Sequence, residues 1–351
     1  MTQPGTYRRW MPLILAAYIV AVAAAFLFFN ARLTVEWVAI VLFGAALLSG
    51  RAVLFIRDWG VFFVVLVAWQ LVSPVATIFH FPWHVQPMIT ADRALFFGHV
   101  PAVWLQAHLY QPGRIEPWDI LSAVMYMLHF LAPLVAGFAL WLSDRAVFRQ
   151  YAITFVLVAV AGFATYILYP AVPPWMAGEK LLSLHGQYLF AQNAQDLQQL
   201  RAAGIAHPWQ YIQSHGHVYL PGARNIFNAI MSNWYNPYNG EIFPFFKVLH
   251  MHYDQVGAMP SEHAAYPMLF FLFLRRQFGR TGYIALVYIA LITFAIVYLG
   301  QHYVVDALVG FAYAGLGYLL VTRLYPALRD RITARPAAEA IETRELETAA
   351  R

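Results

Sequence analysis

An all-α, polytopic membrane helix bundle of about eight spans is the fold class this sequence predicts, and three observations predict it. Hydrophobic residues make up 61% of the 351 residues and charged residues only 11%, where an ordinary soluble domain carries about 25% charge. Apolar runs near the roughly 20 residues needed to cross a bilayer recur at about 12–29, 33–50, 60–79, 119–142, 151–170, 259–274, 282–299 and 303–322. Arginines gather in alternate short loops between those runs: Arg8 and Arg9, Arg51 and Arg57, Arg145 and Arg149, then Arg275, Arg276 and Arg280. Arg32 stands alone in the short loop opposite.

Cytoplasmic loops carry the Lys/Arg excess, so this pattern predicts that both termini are cytoplasmic. The same pattern accounts for the pI of about 9.3 as topology, and it argues against a nucleic-acid partner. The first apolar run lacks a small-residue cleavage site and reads as a span, not as a removable signal. With no cysteine in the chain, disulfides, thiolate catalysis and Cys-ligated metal sites are excluded.

Taken in order, residues 1–79 read as a three-span scaffold with few internal polar groups, chiefly Gln70 and Ser73. Residues 80–322 read as the functional core. It opens with a polar–aromatic stretch, 80–118, whose Trp, Phe and Leu suggest an amphipathic helix lying in the interface. A long outer loop, 171–258, is rich in Pro, Gln, His, Asn and Tyr, and loops of that length usually serve binding. Residues 323–351 read as a flexible, charged, Ala-rich cytoplasmic tail.

Chemistry concentrates in two short segments, Met259-Pro260-Ser261-Glu262-His263 and Gly300-Gln301-His302-Tyr303-Val304-Val305-Asp306. Each sits at the mouth of an apolar run, and the predicted topology puts both on the extracytoplasmic face. Ionisable groups at membrane depth are costly and mark function by default. On a helix, His302 and Asp306 four apart share a face. The carboxylate could then accept from one ring nitrogen and leave the other as a nucleophile. His263, poised near neutral pH, suits proton transfer. Pro260 fits a helix start, and the first-turn amides with the Ser261 hydroxyl suit an anion. A His–Asp pair can also be a satisfied polar pair, and a lone helix-end histidine is more often structural. Finding both segments on one face favours the catalytic reading.

Pro-Ser-x-His followed about 40 residues later by His-x-x-x-Asp resembles the type 2 phosphatidic acid phosphatase superfamily. Tyr169-Pro170-Ala171-Val172-Pro173-Pro174-Trp175-Met176 is similar to the Pro-Pro-Trp element of its inositol phosphorylceramide synthase branch. Trp118-Asp119 through Tyr126 and His129 resembles that branch too, so that the likeness covers about residues 90–322. The resemblance implies that His302 becomes a phosphohistidine, Asp306 supports it, His263 handles protons and Ser261 contacts phosphate, with no cofactor. The phosphatase families carry a Lys-x6-Arg-Pro segment that this chain lacks. A monoester dianion needs such cations and a singly charged diester needs fewer, so the departure favours diester transfer. Glu262, between the motif serine and histidine, is unusual; it is expected to point away to solvent or headgroups, or else to oppose an anionic substrate.

Weaker signals complete the reading. Arg224, in Pro221-Gly222-Ala223-Arg224-Asn225, is a candidate phosphate clamp or an exposed loop arginine. Trp175, His129 and Tyr169 are candidate substrate-pocket residues, although Trp175 equally suits an interfacial anchor and His129 an interhelical hydrogen bond. His215-Gly216-His217 and His250-Met251-His252-Tyr253-Asp254 suggest zinc only weakly, and no metal is expected.

The function expected is transfer of a phosphorylated headgroup, inositol phosphate by resemblance, from a phospholipid donor to a lipid hydroxyl acceptor. A lipid or polyprenyl phosphate phosphatase would use the same residues. A transporter or scramblase is the remaining class, but no inverted repeat of the kind such proteins show is detectable.

Overall fold

The computed structural model describes residues 81–326, except 130, 185, 186, 192, 193 and 234–256, together with scattered positions in 44–63. Most of the expected spans 12–29, 33–50 and 60–79, and the 327–351 part of the tail, therefore lie outside the described residues. What is described is predominantly helical. Helices α1 (Gln86–Leu95), α2 (Pro101–Leu109), α3 (Pro117–Leu128), α4 (Ala132–Ser143) and α5 (Arg145–Leu168) come first. The segment after α5 holds α6 (Pro174–Ala177), the antiparallel hairpin β1 (Leu181–Leu184) and β2 (Gln187–Phe190), α7 (Ala194–Ala202), α8 (Pro208–His215) and α9 (Ile226–Asn233). The core ends with α10 (Glu262–Phe278), α11 (Ile284–Tyr298) and α12 (Val304–Leu319), which runs on through a π turn to Leu324.

Three described stretches are long and apolar enough to cross a membrane: Arg145–Leu168, Glu262–Tyr298 and Val304–Leu324. The second is a hairpin of α10 and α11 around a 3-10 turn at Gly279–Tyr283, because His263 at its start meets His302 just beyond its end. Gly279 takes φ 63° at the turn, a conformation glycine adopts without a Cβ penalty. The expected fourth span, 119–142, is not one straight helix. It is α3 and α4 joined at an angle of 52°, because Pro133 lies in the first turn of α4. A proline cannot donate to the turn before it and clashes with a continuing helix. His129 falls at that break.

Local sequence explains the helix ends that frame the site. Helix α3 opens on Pro117, with Asp119 accepting from the Glu116 amide at 2.8 Å. Helix α5 opens on Asp144, whose carboxylate accepts from Ala146 N at 2.7 Å. Helix α10 has Glu262 in its first turn and Arg275 and Arg276 in its last, the arrangement that complements the helix dipole. It is the centre of the bundle, packing on α12, α5, α4 and α11. Gly310 of α12 allows the closest approach: a Cβ there would lie 2.3 Å from the Ser261 carbonyl.

The expectation of a long loop over 171–258 needs correction: its described residues carry helices and a hairpin packed on a core of Leu182, Leu189, Leu200 and Ile212. Residues 81–118 hold two short helices before α3, in which Asp92 is fully buried and Gln106 nearly so, while Gln86, Thr90, Arg93, His108, Trp104 and Phe97 are exposed.

Candidate active site

The two motifs meet. His302 Nε2 lies 3.2 Å from His263 Nδ1, with His302 buried at 5% exposure. Its other nitrogen, Nδ1, lies 2.8 Å from the Ala258 carbonyl oxygen. A carbonyl only accepts, so Nδ1 carries the proton and Nε2 presents a lone pair when the ring is neutral. Asp306 is a different partner from the one the spacing implies. Its Oδ2 is 3.7 Å from His302 Nδ1, an ion-pair distance and not a hydrogen bond. The reason is local: α12 begins at Val304, so His302 precedes the helix and the i,i+4 geometry does not apply to it. Asp306 instead accepts from the Tyr303 amide at 2.8 Å and so caps its own helix.

Ala258 is held in place by the Tyr169–Trp175 segment. Ala171 forms parallel bridges to His84 on one side and Gly257 on the other, and Ala258 N donates to Ala171 O at 3.1 Å. Tyr169 stacks on His84 at 3.7 Å. Trp175 donates its amide to Gly300 O at 3.0 Å and is buried, with its ring edge on Phe190. It is a support behind the His302 loop, which corrects the interfacial-anchor reading.

His129 stacks on His263 at 4.0 Å, and Tyr126 stacks on His263 at 4.6 Å. The three imidazoles of His129, His263 and His302 therefore form one chain. Ser261 is fully buried, and its hydroxyl has no hydrogen-bond partner among the described residues. Such a group is costly to leave unpaired, which fits a site completed by a substrate oxygen. Its backbone is tied to the other motif, since Ser261 N donates to Asp306 O at 3.0 Å. Glu262 faces neither solvent nor the histidines in the way the sequence suggested. A Cβ on Gly162 of α5 would meet its Oε1 at 2.8 Å, so this carboxylate lies in the α5–α10 contact.

Arg224 has an exposed side chain, but its backbone is anchored. Gln106 accepts from Arg224 N at 2.8 Å and donates to the carbonyls of Arg224, at 3.0 Å, and Tyr298, at 2.9 Å. Asn225 accepts from Gln301 at 3.2 Å. The arginine therefore rides on the loop next to His302. Gly300, at φ 78°, would place a Cβ 2.4 Å from Arg224 O, so this junction admits only glycine.

Sequence reading missed three polar joints. Asp92 accepts from the Val304 and Val305 amides at 3.2 and 3.0 Å. Gln106 forms the junction just described. Asp119 accepts from the Tyr298 hydroxyl. The signal available was a polar residue inside an otherwise apolar window. As for metals, no group of three or more candidate ligands occurs among the described residues. His215 contacts Ser214 and Tyr211, and residues 250–254 lie outside the described residues.

Comparison with known proteins identifies the family. A family model described as PAP2 superfamily matches residues 86–320. A relative named phosphoinositol dihydroceramide synthase, from Bacteroides thetaiotaomicron, is 26% identical over 208 residues, covering 57% of this chain and 54% of the relative. The chain thus spans about half the length of that curated relative. No solved structure matches it. With two histidine motifs converging inside a match that covers most of the chain, this protein belongs to the PAP2 superfamily of lipid phosphotransferases and phosphatases.

Proposed function

We propose that the protein transfers a phosphorylated headgroup, inositol phosphate in the first instance, from a phospholipid to the hydroxyl of a second lipid. The observation that carries this reading is the orientation of His302, with Nδ1 on the Ala258 carbonyl and Nε2 beside His263. Nε2 attacks phosphorus and the ester bond to the diglyceride oxygen breaks. His263, protonated on both nitrogens for this step, gives that leaving oxygen a proton from Nδ1 and is left neutral. In the second half, His263 takes the proton of the acceptor hydroxyl, whose oxygen attacks phosphorus and releases His302. At rest the same Nδ1–H closes on Nε2, so substrate entry must part the two rings.

Asp306 stabilises positive charge on His302 through space, and Ser261 donates its hydroxyl to a phosphate oxygen. Arg224 supplies a cation from the adjoining loop. Trp175 and Tyr169 shape the pocket indirectly, by holding the His302 and Ala258 segments, and His129 supports the plane of His263. One arginine on the loop beside His302 suits a diester, which carries one charge, better than a monoester dianion. The name of the bacterial relative supports a phosphoinositol group and a ceramide-type acceptor. We place the site on the extracytoplasmic face, in a bundle of about eight spans with cytoplasmic termini, from the arginine distribution.

The test is headgroup transfer by purified protein in liposomes, using labelled phosphatidylinositol with and without ceramide or diglyceride, and phosphatidate as control. An acceptor-dependent phospholipid absent in His302→Ala is expected. Release of inorganic phosphate from phosphatidate without transfer would make the protein a phosphatase.

A further inference from the structure

The helix that follows His302 is capped from another part of the chain. Three consecutive amides at its start are taken by carboxylates: Tyr303 N by Asp306, and Val304 N and Val305 N by Asp92. Asp92 comes from α1, more than two hundred residues earlier, and is fully buried. Helix-start amides normally find a side-chain cap within one turn in sequence. Here Asp306 satisfies one of the three, and an imported carboxylate bridges the next two, one oxygen to each. The pair fixes the turn from which His302 hangs and the register of Asp306. It also occupies amides that would otherwise attract an anion, which leaves the Ser261 end of α10 as the place for phosphate.

We propose that Asp92 is a positioning residue for the transfer reaction, holding the Tyr303–Val305 turn so that His302 keeps its attack geometry. The proposal rests on the phosphotransfer reading given above. Charge is essential to this role. A carboxylate accepts from both amides at once, whereas a neutral carboxyl or an amide offers one good acceptor and one donor, and the donor opposes an N–H.

The electrostatics fit. Burial, with Asp306 adding in the same direction, raises Asp92 from the ordinary 3.8 to about 6, against the pull of the Val305 and Val304 amides. Among the described residues the titratable groups facing it are Asp306 and Tyr303, while Arg93 on its own helix is exposed. The linkage sign follows. A folded-state value above the unfolded one means that folding binds the proton, so the protonated form favours folding at low pH. That contribution is lost as pH rises through about 6. At pH 7 the ionised Asp92 thus disfavours folding while serving the site, and stability and turnover part company.

The experiment compares wild-type full-length protein with Asp92→Asn and Asp92→Glu in detergent. Turnover of Asp92→Asn at pH 7.5 should fall about 10- to 100-fold, mostly in kcat, with the thermal midpoint no lower than wild type. The wild-type to variant ratio should shrink toward one below pH 6, because protonated Asp92 resembles Asn; taking the ratio cancels the histidine titrations. Asp92→Glu should restore part of the rate. Amide exchange across residues 303–306, measured without lipid, should be slow in wild type at pH 7.5 and fast in Asp92→Asn. Equal exchange in both proteins, or unchanged kcat, would overturn the proposal. A fall in stability matching the fall in rate at every pH would also overturn it, as Asp92 would then be structural only. If wild type transfers no headgroup, the phosphotransfer reading fails, and the exchange arm still decides whether Asp92 holds the turn.

Discussion

The two ends of the bundle treat charge in opposite ways. At the arginine-rich end Asp58 is buried under a full set of partners: Arg145 Nε at 2.6 Å, Arg145 Nη2 at 2.9 Å and Trp141 Nε1 at 3.1 Å. Around it Phe55, Trp59 and Phe148 stack at 4.7 to 5.3 Å. At the histidine end, Asp92 and Asp306 meet imidazole and backbone amides. Asp306 Oδ1 and Ser261 Oγ have no hydrogen-bond partner among the described residues. At one end the carboxylate is fully partnered, with only the Trp59 indole N–H left over among the described residues. At the other, the Asp306 carboxylate and the Ser261 hydroxyl themselves keep capacity in reserve. A closed network stabilises a fold; spare buried capacity, held in place by neighbours, is what a substrate can complete.

Substitutions at the two ends should therefore separate rate from stability. His302→Ala should lower turnover by about 10⁴-fold or more without shifting the thermal midpoint, and retained activity would break the contrast outright. His263→Gln should cost about 10²- to 10⁴-fold, with the enzyme-bound intermediate accumulating in rapid-quench experiments. At the other end, Asp58→Asn should leave kcat intact and destabilise the protein by about 1.5–3 kcal/mol, since hydrogen bonds to charged groups are lost. Arg145 holds the Asp58 carboxyl well below its ordinary value of 3.8. Its contribution is therefore fully present above that value and lost progressively as pH falls from it toward the lowered folded-state value, so denaturation midpoints of wild type and Asp58→Asn should converge only in strong acid.

Smaller effects sharpen the picture between the ends. Gly310→Ala should cost about 1–3 kcal/mol and also slow turnover, because the Ser261 turn rests on that glycine. Ser261→Ala should lose about 1.5–3 kcal/mol in transition-state binding, because its partner oxygen is charged, seen in kcat/KM with an unchanged melting profile.

Much of this was legible in the sequence because it is local. Apolar runs located α5, the α10–α11 hairpin and α12 to within a few residues, and the two motifs were expected on one face. The break at His129 was harder, since an apolar composition hides a bend made by one proline. The His302–Asp306 contact was misread because helical spacing was assumed for a residue that stands just before its helix. Asp92, Gln106 and Asp119 were missed for a different reason. Their partners lie between 118 and 213 residues away, and periodicity carries no information about such pairings. The segment 171–258 was too polar and irregular for a periodic signal, yet the backbone bridges of Ala171 orient His302 through Ala258.

The most direct test of the central claim is to trap the intermediate. Headgroup-labelled phosphatidylinositol would be mixed with His263→Gln protein in liposomes, quenched in base and digested for mass spectrometry. An acid-labile inositol phosphate adduct on His302 is expected, persisting in His263→Gln when a lipid acceptor is added and discharged onto that acceptor in wild type. Label on another residue, or turnover in wild type with no adduct at His302 under any quench, would contradict it.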